Sequence, residues 1–294
     1  MGALRFGPAD LPDAATFAEA MNDLRARGYD ACEFGFLGKF WLEYDGAAEL
    51  GAAAKAADVV LSVHAPLAAF MGHADDGKKF KMALGMLDHT AGLAKTAGAE
   101  LIVIHPGFLL GRERAESLDA VVRQLSLLRE RLEGKDRLMQ FGVEVMGRVR
   151  DLGTADDVIE IARRLDGWVR PVLDFAHMHA TSDGAFTDVE PFKDVLEAAD
   201  SVMEPGAPFH IHFSDVQFAN RNETKHLPYG EGTLRAEPLG EALARFERPA
   251  TVISESPDEA SHQAIGAALG SSVTSSSRRS KASASSSRPR SRRS

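Results

Sequence analysis

Eight short apolar runs are spaced through the first 253 residues, too short to be helices and too regular to be incidental. They are Leu4–Phe6, Ala31–Phe36, Val59–Val63, Leu101–Ile104, Phe141–Val143, Val169–Leu173, Phe209–Phe213 and Thr251–Ile253. Between them lie stretches with apolar residues at i, i+3 and i+4, the spacing of an amphipathic helix. These are Ala14–Arg27, Phe80–Ala97, Ala115–Leu132, Thr154–Leu165, Val189–Ala199 and Pro238–Phe246. Thr154 followed by Asp157 has the form of a helix-capping start, and Ser117 is expected to mark another. Strands alternating with helices in this number predict an α/β fold, a (β/α)8 TIM barrel. A doubly wound open sheet is the alternative, but no GxGxxG or GxxxxGK[ST] loop follows the first run.

The runs finish in an unusual way. VRPVLDFAHMH, residues 169–179, passes from an apolar strand into Asp174, with His177 three residues on. Charged groups are rarely buried without partners, so packing alone is a poor explanation. The pattern recurs. His64, His105, Glu144, Asp174, His212 and Glu255 close or follow six consecutive runs, at intervals of roughly 30 to 43 residues, about one β/α unit each. In a TIM barrel the C-terminal ends of the strands carry the chemistry. Three imidazoles and three carboxylates at one level, with no thiolate cluster, suit zinc, manganese or iron. Carboxylates can bridge two ions about 3.5–4 Å apart, the arrangement of two-metal phosphoryl-transfer sites. His177 and His226 extend the set into the loops. His210 lies two residues before His212 and so shares its face of the strand. His179 is a further neighbour, while His73, His89 and His262 are expected on the surface or on helices.

Composition bounds the setting. The chain is 44% hydrophobic, enough for a substantial core, and its single cysteine, Cys32, excludes an intrachain disulfide and fits a reducing cytoplasm. No apolar stretch is long enough to span a membrane, and the N-terminal segment lacks the apolar core of a secretion signal. Residues 1–268 are expected to form the barrel and 269–294 a Ser/Arg-rich low-complexity tail. The last 24 residues hold six arginines, one lysine and no acid, so the preceding 270 carry −16 of a chain whose net charge is −9. So acidic a body is unusual for a protein that binds nucleic acid at low salt.

The motifs HxP at His64, HPG at His105, ExxG at Glu144, DxxH at Asp174, HxxD at His212, KHxxxGEG from Lys225 to Gly232 and SESP from Ser254 resemble the endonuclease IV family. That family comprises the type 2 AP endonucleases, within the xylose isomerase-like TIM barrel superfamily, and the resemblance spans nearly all of residues 1–268. It implies two or three divalent ions, usually zinc, with manganese as an alternative. His64 and His105 would hold the first, and Glu144 would bridge it to a second completed by Asp174, His212 and Glu255. His177 and His226 would hold the third. The implied reaction, with Glu144 and Glu255 in catalytic positions, is hydrolysis of the phosphodiester 5′ to an abasic site in DNA during base excision repair. A monomer without membrane attachment is the family expectation.

Two departures stand out. Thr224 occupies the place of the aspartate that usually completes the third site, so either neighbouring Glu223 substitutes after a small loop shift or the third site is weak. Leu67 replaces a tyrosine used by the family to intrude at the lesion. The competing reading is a sugar isomerase or epimerase of the same superfamily, needing only Glu144, Asp174, His212 and Glu255 around one ion. His64, His105 and His226 have no ligand role in that reading.

Overall fold

The computed structural model describes residues 2–270; of the expected Ser/Arg-rich tail, residues 269 and 270 belong to the last helix and 271–294 lie outside the described residues. In chain order the elements are β1 (Leu4–Pro8), α1 (Phe17–Ala26), β2 (Ala31–Gly35), α2 (Tyr44–Ala57), β3 (Val60–His64), α3 (Lys78–Ala97), β4 (Leu101–Ile104), α4 (Arg114–Glu133), β5 (Phe141–Glu144) and α5 (Ala155–Arg164). Next come β6 (Val169–Asp174), α6 (Phe175–Thr181), α7 (Val189–Asp200), β7 (Phe209–Phe213), β8 (Asp215–Ala219), β9 (Asn222–Leu227), α8 (Ala236–Leu243) and β10 (Ala250–Ser254). A last helix covers residues 259–270, with Ala268 and Leu269 buried.

Eight parallel strands run in the order β1-β10-β7-β6-β5-β4-β3-β2, with helices outside. The two end strands meet: Asp30 N donates to Phe6 O at 3.0 Å, and a Cβ on Gly7 would sit 1.6 Å from the Ala31 carbonyl oxygen. Glycine at position 7 therefore lets the sheet curl into a nearly closed TIM barrel. Inside, Leu101, Val103 and Val172 form a small apolar floor. Gly142 makes room for it, since a Cβ there would lie 2.5 Å from the Val172 side chain. The larger core fills the layer between strands and helices, where apolar helix faces meet outward strand residues.

Local chemistry explains most boundaries. Thr154 and Asp157 form the anticipated capping box on α5, a cap typically contributing about 1 kcal/mol. Ser117 does not start a helix. It is buried one turn inside α4, whose N-cap is Glu113, because the helix begins earlier than its apolar spacing indicates. Asp88 on α3 is buried yet satisfied by Arg131, Lys135 and Arg137, which ties α3 to α4 and the residues that follow it.

Candidate metal centre

The polar strand ends converge at the C-terminal mouth of the barrel. Pairing brings Asp174 level with His212, and Gly35 level with His64. Four groups of donor atoms form there, each lying within 4.8 Å: His64, His105 and Glu144; Glu144, Asp174, His212 and Glu255; His177, Glu223 and His226; and Glu33, His210 and His212. The first three contain all nine residues anticipated from the sequence, and Glu144 joins the first two.

Most imidazoles are held by backbone carbonyls. His64 Nδ1 lies 2.9 Å from Ala65 O, His177 Nδ1 2.7 Å from Val145 O, and His226 Nδ1 2.8 Å from Glu255 O. A carbonyl can only accept, so Nδ1 carries a proton and Nε2 is the nitrogen turned to the carboxylates, its lone pair open to an ion once its own proton leaves. The Nε2 atoms of His64 and His105 stand 3.2 and 3.0 Å from Glu144 Oε2. Those of His177 and His226 stand 2.9 and 3.0 Å from the two oxygens of Glu223. Asp174 caps the short helix α6: its Oδ1 accepts from His177 N at 2.7 Å, which fixes the carboxylate and leaves Oδ2 buried without a hydrogen bond.

A β-bulge decides between Glu223 and Thr224. Gln217 pairs with Lys225 while Phe218 pairs with Glu223, so Thr224 is the extra residue of the β8–β9 hairpin. Regular alternation would put Thr224 on the face of His226, two residues away. The bulge turns it out, where its Oγ1 donates to Gln217 O, and Glu223 takes the inward place. Glu223→Gln should therefore remove one bound ion per chain, while Thr224→Ala should retain it. Elemental analysis reads both, and loss with Thr224→Ala would contradict the assignment.

Asp215 holds the neighbouring loop. Its buried carboxylate accepts from the backbone N–H groups of Gly230, Gly232 and Leu234 and pairs with Arg235 at 3.1 Å. Of the remaining histidines, His73 is buried in the β3–α3 loop rather than on a surface or helix, because its chain segment packs over Gln124. His179 sits on α6 with its Nε2 2.8 Å from Thr233 Oγ1 and belongs to none of the clusters. His89 lies on α3 against Phe40, and His262 lies on the last helix against Ser254.

Glu33 was missed by sequence reasoning. It stands in the middle of β2, 1% exposed, and its signal was available: an acid interrupting the run ACEFGF. Its Oε2 accepts from Ser62 Oγ at 2.7 Å and lies 3.0 Å from His210 Nε2, while Oε1 lies 3.1 Å from His212 Nε2.

The electrostatics call for cations. Burial pushes Asp174 up to about 7, only partly offset by His177, and Glu255 and Glu144 reinforce the rise. Burial would also raise Glu144, yet His212 and His105 hold it well below the carboxylate range. Against burial, Glu144 raises His64 to about 9, and Glu223, with Glu255, raises His226 to about 9. Three clustered carboxylates, imidazoles presented through Nε2 and an orphaned Asp174 oxygen together fit divalent ions. An imidazole must be neutral to ligate, so ions displace the His64 and His226 protons at pH 7. Affinity should rise with pH towards about 9 and fall below it. Calorimetry in buffers of different ionisation enthalpy should show proton release; equal heats would contradict this charge assignment.

Above these groups opens a cleft of about 580 Å3, lined by Glu33, Leu37, Trp41, His64, His226 and Glu255 among others. A larger cavity of about 920 Å3, between the β1–α1 loop and α2, contains none of the clustered residues and shares only the rim at Asp10, Gly35 and Trp41 with the cleft. The clustered residues, not cavity size, locate the chemistry.

Residues 21–273 match the family described as xylose isomerase-like TIM barrel. The chain belongs to that family. An uncharacterised protein of Methanocaldococcus jannaschii is 27% identical over 257 residues, covering 86% of this chain and 92% of the relative. A probable endonuclease 4 of Latilactobacillus sakei is 28% identical over 176 residues, covering 58% of this chain and 56% of the relative. Among solved structures, a D-tagatose 3-epimerase-like protein superposes with a TM-score of 0.73 at 20% identity, covering 94% of this chain and 99% of that one. Proteins to which this chain is similar thus carry both endonuclease and epimerase names.

Proposed function

We propose that this protein is a zinc- or manganese-dependent phosphodiesterase that cleaves DNA 5′ to abasic sites, acting as a monomer in the cytoplasm. One observation carries the reading: three ligand clusters, not one, meet at the barrel mouth, with Glu144 common to two of them. His64, His105 and Glu144 would hold one ion, Glu144, Asp174, His212 and Glu255 a second, and His177, Glu223 and His226 a third. Bound there, the ions supply Lewis-acid polarisation of the phosphodiester and neutralise its developing charge.

The chain supplies position and access. Buried Glu144 fixes the separation of the first two subsites, and the bulged hairpin brings Glu223 and His226 to the third. Leu67, 47% exposed on the β3–α3 loop, offers an apolar wedge beside an unstacked site. Exposed Lys39, Arg148, Arg150 and Arg221 on the loops of the same face, with exposed Lys225 on β9, would meet the phosphate backbone despite the acidic body.

The competing reading, a one-ion sugar epimerase, is favoured by the cleft volume of about 580 Å3, within the range of small-molecule sites. The deciding experiment offers zinc- and manganese-loaded protein a duplex with one synthetic abasic site and, separately, a panel of ketohexoses. Incision leaving a 3′-hydroxyl is expected. Intact duplex together with epimerised sugar and a single bound manganese would replace the proposal with the epimerase reading.

A further inference from the structure

The carboxylate that the metal centre leaves unexplained is Glu33. It is buried inside the barrel, below the ligands, and its closest contacts are Ser62, His210 and His212. Charge so deep is costly unless it acts on something.

His212 differs from the other held histidines. His64, His177 and His226 each give their Nδ1 proton to a backbone carbonyl and present Nε2. His212 is reversed: its Nδ1 lies 3.1 Å from Glu144 Oε1 and 3.4 Å from Glu255 Oε1. Its Nε2 points into the barrel, where Glu33 Oε1 is 3.1 Å away. The strand carbonyls around it are committed to sheet pairing, with β7 flanked by β6 and β10. Among the described residues no carbonyl serves His212 Nε2 as carbonyls serve the other three, and Glu33 Oε1, 3.1 Å away, is the acceptor that faces it.

We propose that Glu33 is a positioning residue for the metal centre, accepting the Nε2 proton of His212 and so fixing Nδ1 as the atom offered to the Glu144–Asp174–Glu255 subsite. It does for a mid-strand histidine what carbonyls do at the loop ends. Ser62, whose residue pairs with Glu33 across β2 and β3, and His210 hold the carboxylate in place through its other oxygen. The inference rests on the metal reading of the mouth.

The test uses the full chain loaded with zinc. Competition against a chelating dye measures the affinity of each ion for wild type and Glu33→Gln, an isosteric change. One ion should bind about 10–100-fold more weakly, the usual effect of losing such a partner, with the others unchanged. Histidine 15N spectra of loaded wild type should show His212 protonated at Nε2 and unprotonated at Nδ1, a readout that holds even if the variant fails to fold. Unchanged affinity in Glu33→Gln, or protonated Nδ1 in wild type, overturns the proposal alone. Loss of a separate fourth ion would make Glu33 itself a ligand and also overturn it. A wild-type chain that takes up no divalent ion overturns the metal reading and this inference with it.

Discussion

Glu144→Gln should lower incision of an abasic duplex by more than about 10²-fold and reduce the bound ions from about three to two. The lower bound follows from outer partners of metal ligands, whose loss alone costs about 10–100-fold. Glu144 is no outer partner. Its Oε2 meets the Nε2 atoms of His64 and His105, and its Oε1 lies 3.1 Å from His212 Nδ1. Glutamine keeps the shape but exchanges one oxygen for an amide that cannot ligate in the same way, so either one subsite or the other loses its shared donor. The Glu223 subsite does not include Glu144 and should keep its ion. Elemental analysis beside the incision assay separates the two effects. Wild-type ion content with normal cleavage would sink the assignment of Glu144.

Removing the ions should be the larger effect on stability. An ion present at 1,000 times its dissociation constant stabilises the folded state by about 4 kcal/mol, and independent ions add. Without them, the mouth retains Glu144, Asp174 and Glu255 within 4.8 Å of each other and an Asp174 oxygen with no hydrogen bond. Chelator-treated protein should therefore melt several degrees lower in calorimetry, and both melting temperature and incision should return when zinc or manganese is restored. Identical melting curves with and without chelator, in protein shown to have lost its ions, would mean that the donors are satisfied without them.

Much of this was legible from the residues alone. The eight apolar runs correspond to the eight barrel strands, because a strand enclosed on both faces must be apolar throughout. Six of the nine ligand candidates were legible because acids and imidazoles at the ends of such runs break a pattern that packing enforces; His177 and His226 lie in the loops, and Glu223 came only from the family resemblance. Helix α2 gave no such signal: its sequence, YDGAAELGAAAKAA, is alanine-rich, so no apolar stripe stands out, although Ala47, Leu50 and Ala54 are buried. The β8–β9 hairpin was hidden too. It leans on the mouth with one face, and five of the six residues of β9 are charged or polar and at most partly covered.

The sequence by itself determined the number of barrel strands, the barrel and the residue types at its mouth, since these follow from local hydrophobic period and from what apolar runs exclude. Only the tertiary structure decided which of two adjacent residues, Glu223 or Thr224, enters the third cluster, because a single bulge reverses the alternation of β9. It alone revealed Glu33, lying 179 positions before His212 in the chain yet within 3.1 Å of its ring. Barrel closure brings such residues together, and closure depends on the pairing of distant strands rather than on any local pattern.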